Sequence, residues 1–176
     1  TFLEWGKSIY FKSYLSSIFF LIITVLVETA ILSKIAILPV IPDLLLICSL
    51  YFAVNNGSLH GEITGFTSGL LIDFLSGSAF GLNCLVRTVI GYLTGYFRKM
   101  LNLKSFLVTF LIGFIGTILK AILIYMTSFF FPNMVNTYNI FTDVFLFELL
   151  LNSFLSPIVF KFLDRFSNFI LLPENY

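Results

Sequence analysis

The sequence predicts an all-α integral membrane protein, a bundle of six transmembrane helices forming a single domain over residues 1–176. Three observations carry that prediction. Hydrophobic residues make up 59% of the chain and charged residues 11%, against about 25% charged in an ordinary soluble domain, so polar groups are too few to cover a water-facing surface. The apolar runs are continuous, which suits helices and not the alternating strands of an outer-membrane barrel. A helical span takes roughly 20 apolar residues, so the chain accommodates about six with short links and leaves no room for a soluble domain.

Residues 1–12 mix Trp5, Lys7, Tyr10 and Lys12 with apolar neighbours, a headgroup-region composition that predicts a short interfacial entry. The chain opens on Thr1, so a native start upstream is expected, and no signal-peptide pattern follows. The first span covers residues 13–33 and contains Glu28. After Lys34 and an apolar link, residues 35–41, expected to dip into the membrane, Pro42-Asp43 opens a short second span, 42–54. Proline suits a first helical turn and an acid suits a helix N-terminus. The third span, 59–75, and the fourth, 82–97, are separated by a turn between Gly77 and Gly81. A basic loop of Arg98, Lys99 and Lys104 leads into the fifth span, 105–131, which contains Lys120 and ends at Pro132-Asn133. The sixth, 140–160, carries Asp143, Glu148 and Pro157, and the proline predicts a kink there. The tail from Lys161 is expected to extend that helix along the surface.

Gly57, Gly61, Gly65 and Gly69 recur every fourth residue, and Asp73 falls at the next step. Glycines four apart lie on one side of a helix and let a neighbouring backbone approach closely. Gly91 and Gly95 give the fourth span a similar face. The third and fourth spans are therefore expected to pack tightly, with Asp73 and Arg87 near their shared end.

Basic residues set the orientation. With the N-terminus inside, Lys7, Lys12, Arg98, Lys99, Lys104, Lys161 and Arg165 fall on the cytoplasmic side and Lys34 alone outside, which places both termini in the cytoplasm. Glu28 and Lys120 then lie about 15 residues into their spans, roughly 22 Å from the inner face. Asp73, Arg87, Asp143 and Glu148 fall in the same outer half, whereas Glu62 begins the third span at the inner face. An unpaired charge in a membrane costs about 2.5 to 3.5 kcal/mol, so such groups turn inward and pair. Asp73 with Arg87, and Lys120 with Glu28 or Glu148, are the pairs this depth predicts. Such a cluster can lock helices together, line a ligand pocket or dock a partner.

Signals for catalysis, metal or cofactor binding are lacking. Cys48 and Cys84 have no second cysteine at metal spacing, and His60, the one histidine, has no partner in a zinc motif. Ser68 and Ser76 lack a base at a recognisable spacing. No phosphate-binding glycine loop or dinucleotide fingerprint occurs, because the glycines sit inside an apolar helix. No basic patch suited to nucleic acid is present.

The segments PDLLLI (42–47), GFTSGLLIDFLSGSAFGLNCL (65–85) and GYLTGYFRK (91–99) resemble the bacterial rod shape-determining protein MreD family. The likeness is specific between Pro42 and Lys99, and the first, fifth and sixth spans agree in hydropathy alone. It implies a non-enzymatic inner-membrane component of the elongasome, which inserts peptidoglycan along the side wall. The partners it implies are MreC, the synthase RodA with its class B penicillin-binding protein, and MreB filaments. It also implies a bundle similar to the six-helix substrate-binding components of vitamin transporters. On this reading the Gly57–Gly69 groove accepts a helix, from the fourth span or from MreC, and the outer polar cluster fixes register. The alternative is a small-molecule transporter component whose pocket is formed by Glu28, Asp73, Arg87, Lys120 and Glu148.

Overall fold

A computed structural model describes residues 2–30, 40–76, 79–101, 103, 105–131 and 142–172, with side chains from Tyr10 onward. Lys34 and most of the 35–41 link, Gly77, Lys104, and the Pro132-Asn133 stop with the start of the sixth span at Ile140 lie outside these residues, as do the side chains of Trp5 and Lys7. The described residues form helices α1 (Phe2–Ala30), α2 (Leu44–Asn56), α3 (Ser58–Ser76), α4 (Leu82–Tyr96), α5 (Phe106–Phe130), α6 (Asp143–Asp164) and the single turn α7 (Ser167–Ile170), with a 3₁₀ turn over Phe97–Met100 after α4.

The helix ends follow local chemistry. Asp43 caps α2, its carboxylate accepting the Leu46 N–H at 2.9 Å, and α2 stops at Gly57, whose φ of +98° side-chain-bearing residues rarely adopt. Gly81, at φ +92°, opens α4. The residues expected as an interfacial entry are helical and continuous with the first span in α1. One expectation changes at the other end of the chain: the tail does not extend α6 along the surface. The chain turns after Asp164, and α7 tucks back with Ile170 fully buried. Asn56 holds it there, donating from Nδ2 to the Ile170 carbonyl at 3.1 Å and accepting the Leu172 N–H at 2.9 Å, while the Ser13 hydroxyl donates to that same carbonyl. Pro157 sits within α6, which continues through it.

The centre of the bundle is α2. A helix that is apolar all round belongs inside a protein, and every residue from Leu45 to Val54 is buried, among side chains that include Leu21, Val25, Val86, Ile90, Phe160 and Leu163. Its 13 residues make it roughly 20 Å long, short of the about 30 Å hydrocarbon core, so its N-terminus ends inside the bundle. Among the described residues three helical segments are long and apolar enough to cross a membrane: Tyr10–Ala30, Phe106–Phe130 and Asp143–Asp164. They expose Phe19, Leu26, Ile115, Phe129, Phe154 and Phe162, a surface suited to lipid and not to water.

Candidate functional site: the polar network at the N-terminus of α2

A helix that begins inside an apolar bundle must satisfy its first N–H groups there. At α2 the Leu44 N–H turns to the Pro42 carbonyl at 3.1 Å, and acids and one amide meet those around it. Asp43, 4% exposed, takes the Leu46 N–H, and its own N–H goes to Asn152 Oδ1 on α6 at 2.8 Å. Glu28 of α1 accepts the Leu45 N–H at 3.2 Å. The helix dipole favours negative charge at this end, and two acids supply it.

Two bases then balance the acids. Arg87 of α4, 1% exposed, places Nη2 at 2.7 Å from both Asp43 oxygens. Lys120, at mid-α5, places Nζ at 2.7 Å from Asp43 Oδ2 and 2.7 Å from Glu148 Oε1 on α6. Asn152 continues the network, its Nδ2 donating to Thr117 Oγ1 on α5 at 3.2 Å. Five helices, α1, α2, α4, α5 and α6, are thus tied at one point.

The sixth, α3, sets the position of Arg87. Gly61 and Gly91 face each other backbone to backbone; Gly65 faces the Arg87 carbonyl, Gly69 faces Asn83, and Gly95 faces Gly57 and Ser58. Each four-residue step up α3 meets a four-residue step down α4, so the two helices pack as an antiparallel pair with no side chain between them. A Cβ added at Gly61, Gly65, Gly69, Gly91 or Gly95 would lie closer than 3.0 Å to the facing backbone. The occupant of the groove is the protein's own fourth helix. Gly57 stands just before α3, at the α2–α3 junction, and still meets Gly95 at the end of the seam, while its own missing side chain leaves room for Arg98.

The structure regroups the charged residues that the sequence singles out. Lys120 meets Glu148, and Glu28 lies at the same N-terminus without a described ion pair to Lys120. The expected Asp73–Arg87 pair does not form. Arg87 turns to Asp43, and Asp73, 3% exposed, accepts the N–H groups of Gly81 (2.9 Å), Asn83 (3.2 Å) and Cys84 (3.2 Å) and the Asn83 amide (2.8 Å). Reaching across the turn, Asp73 caps α4, whose N-cap Gly81 has no side chain to do so. Asp143 leaves the cluster as well, exposed in the first turn of α6. Asp43, Asn152 and Thr117 are the members the sequence reading missed. A lone amide in the middle of an apolar helix was the available signal for Asn152, and the acid between Pro42 and a fully apolar run was that for Asp43.

Each described charge of the network lies against another or against a backbone dipole, which makes it an electrostatic clasp. The exception is the far side of the Arg87 guanidinium, where Nε and Nη1 are buried with no hydrogen-bond partner among the described residues. Among the described residues no group of His, Cys, Asp and Glu is arranged to hold a metal ion.

No curated protein and no solved structure matches the chain. The model of the rod shape-determining protein MreD family matches residues 9–166, and a match over that much of 176 residues makes this helical membrane protein a member of the MreD family, with a role in rod shape determination.

Proposed function

We propose that the protein is a non-enzymatic scaffold of the elongasome in the bacterial inner membrane, which binds MreC and through it supports side-wall peptidoglycan synthesis by RodA and its penicillin-binding partner, near MreB filaments. The observation that carries this reading is the Arg87–Asp43–Lys120–Glu148 chain of ion pairs, in which acids and bases alternate across helices. Groups engaged in this way stiffen a framework and are not available as an acid–base pair for substrate. Six spans with both termini cytoplasmic accompany the proposal. In its support, Lys12 lies over the Phe169 ring near the C-terminal end, and Arg98 sits at the α2–α3 junction of the same end, so described basic residues and the tail gather on one side, as the positive-inside rule requires.

The Gly61–Gly69 face is filled by α4, so MreC docks elsewhere on the lipid-facing surface. Purification from native membranes tests the scaffold reading. Recovery of MreC with the wild-type protein is expected, and its absence under conditions that keep the bundle folded overturns the reading.

One observation favours a transporter-type component similar to vitamin-binding subunits: Arg87 Nε and Nη1 are buried donors without acceptors among the described residues, as a site for an anionic small molecule would leave them. A small molecule retained through purification and lost in Arg87→Lys would carry that reading.

A further inference from the structure

At the opposite end of the bundle from the clasp, Tyr10, Tyr14, Gly57, Ser58, His60 and Arg98 help to line a cavity of about 260 Å³. The N-terminus of the 19-residue helix α3 opens into it. The residue before that helix is Gly57, which has no side chain to cap it, and no described hydrogen bond takes up the N–H groups of Ser58, Leu59 or His60; the first turn bond is Gly61 N–H to the Gly57 carbonyl. Uncapped N–H groups and the helix dipole together attract an anion. The Arg98 side chain lies against Gly57, its Nη1 3.2 Å from where a Cβ would stand. Its guanidinium has no ion pair among the described residues. Glu62, the nearest acid along α3, does not line the cavity.

A second observation is independent of the helix end. His60 is 1% exposed and lines this cavity; its ring stacks on Tyr14 at 4.3 Å and its Nε2 lies 2.9 Å from Ser17 Oγ. The Ser17 hydroxyl also lies 2.9 Å from the Ser13 carbonyl, and its one proton goes either there or to Nε2, which leaves Nδ1 as acceptor or donor according to the tautomer. That Nδ1 is buried without a partner among the described residues. A hydroxyl, which both donates and accepts, satisfies a buried ring nitrogen in either form.

The geometry points to a binding site for a phosphate group that carries a neighbouring hydroxyl: the α3 N-terminus and Arg98 take the phosphate oxygens, and His60 Nδ1 hydrogen-bonds the hydroxyl. Glycerol phosphate has this chemistry, whether free or as the headgroup of phosphatidylglycerol. Basic pockets between helices at a membrane surface bind such headgroups. The inference stands independently of the scaffold reading.

Native mass spectrometry of the purified full-length chain tests it with three probes: phosphatidylglycerol, free glycerol phosphate and the phosphate-free lipid glucosyl-diacylglycerol. Phosphatidylglycerol or glycerol phosphate is expected to bind at least tenfold more tightly than the phosphate-free lipid, and Arg98→Gln is expected to weaken that binding roughly tenfold by removing a charge-assisted contact. His60→Phe keeps a ring against Tyr14, removes Nδ1, and is expected to weaken the same probe. Binding of the lipid alone identifies a membrane headgroup as the source, and binding of both identifies the phosphate moiety itself. Failure of both phosphate probes to bind, or binding unchanged in both variants, overturns the inference.

Discussion

Arg87 Nη2 lies 2.7 Å from both carboxylate oxygens of Asp43, joining α4 to the cap of α2 with both side chains almost wholly buried. Breaking such a pair by removing one partner costs about 3 to 5 kcal/mol, because the survivor is left charged and unpaired. Asp43 also holds Lys120, so Asp43→Asn leaves Arg87 with no acid and Lys120 with Glu148 alone, whereas Arg87→Gln leaves Asp43 still paired with Lys120. Asp43→Asn is therefore expected to lower the thermal unfolding midpoint of the solubilised protein more than Arg87→Gln does. A double-mutant cycle should show strong coupling between the two, and additive effects would disprove the pairing.

Asp73 is expected to behave as a cap. Asp73→Ala should cost about 1 to 2 kcal/mol through the lost helix N-terminal acceptor, Asp73→Ser should recover part of it, and no substitution at Arg87 should rescue it. Rescue by a charge exchange with Arg87 would contradict the hydrogen bonds that Asp73 makes to Gly81, Asn83 and Cys84.

Glycines of the α3–α4 seam should not tolerate even alanine. At Gly65, Gly69 and Gly91 an added Cβ meets backbone closer than 3.0 Å, and backbone cannot step aside as a side chain can, so each alanine should cost about 1 to 3 kcal/mol by overpacking. Gly81→Ala tests the other use of glycine: nothing lies within 4 Å, but φ is +92°, and the expected cost of about 1 to 2 kcal/mol comes from backbone strain. Unfolding of the four variants in detergent, beside cell-shape complementation, separates the two; a neutral Gly65→Ala would show that the helices stand farther apart.

Asn152 is fully buried and satisfies the Asp43 N–H. Asn152→Leu should destabilise by about 1 to 3 kcal/mol, the desolvation cost of the orphaned donor. Asp143→Asn, at an exposed first-turn position, should change stability by less than about 1 kcal/mol through the helix dipole alone. Equal effects at the two positions, measured as unfolding midpoints, would place Asp143 back in the cluster.

What the sequence made legible was whatever repeats locally. A four-residue glycine spacing has one physical meaning in an apolar helix, so the α3–α4 seam followed from it. The start of α4 at Leu82 also followed, after the turn at Gly81, and α2 begins two residues beyond the expected start at Pro42, with Asp43 as its cap. Partner choice among charges did not. Depth along a span put Asp73, Arg87, Lys120 and Glu148 at comparable levels, yet which acid faces which base depends on how each helix is rotated, and that rotation is set by the seam and by the buried α2. Arg87 shares the α4 register with Gly91, and the α3 contact commits its backbone, leaving its side chain to reach Asp43 and not Asp73. The tail was misread for a similar reason. Phe and Leu between charges read as an interfacial helix, and the residues that hold it, Ser13 and Asn56, are far away in the chain.

The clasp around Asp43 also has a history in time. Its partners lie 44 and 77 residues downstream, so when Asp43 is added to the growing chain neither Arg87 nor Lys120 has been made. At roughly 5 to 20 residues per second, Arg87 follows after roughly 2 to 9 seconds and Lys120 later still. Until then the nascent chain holds a carboxylate beside an apolar helix too short to anchor itself, and α2 can take its central place only after α4 and α5 arrive to receive it. Assembly of this bundle is thereby scheduled by translation, with the innermost helix among the last to settle.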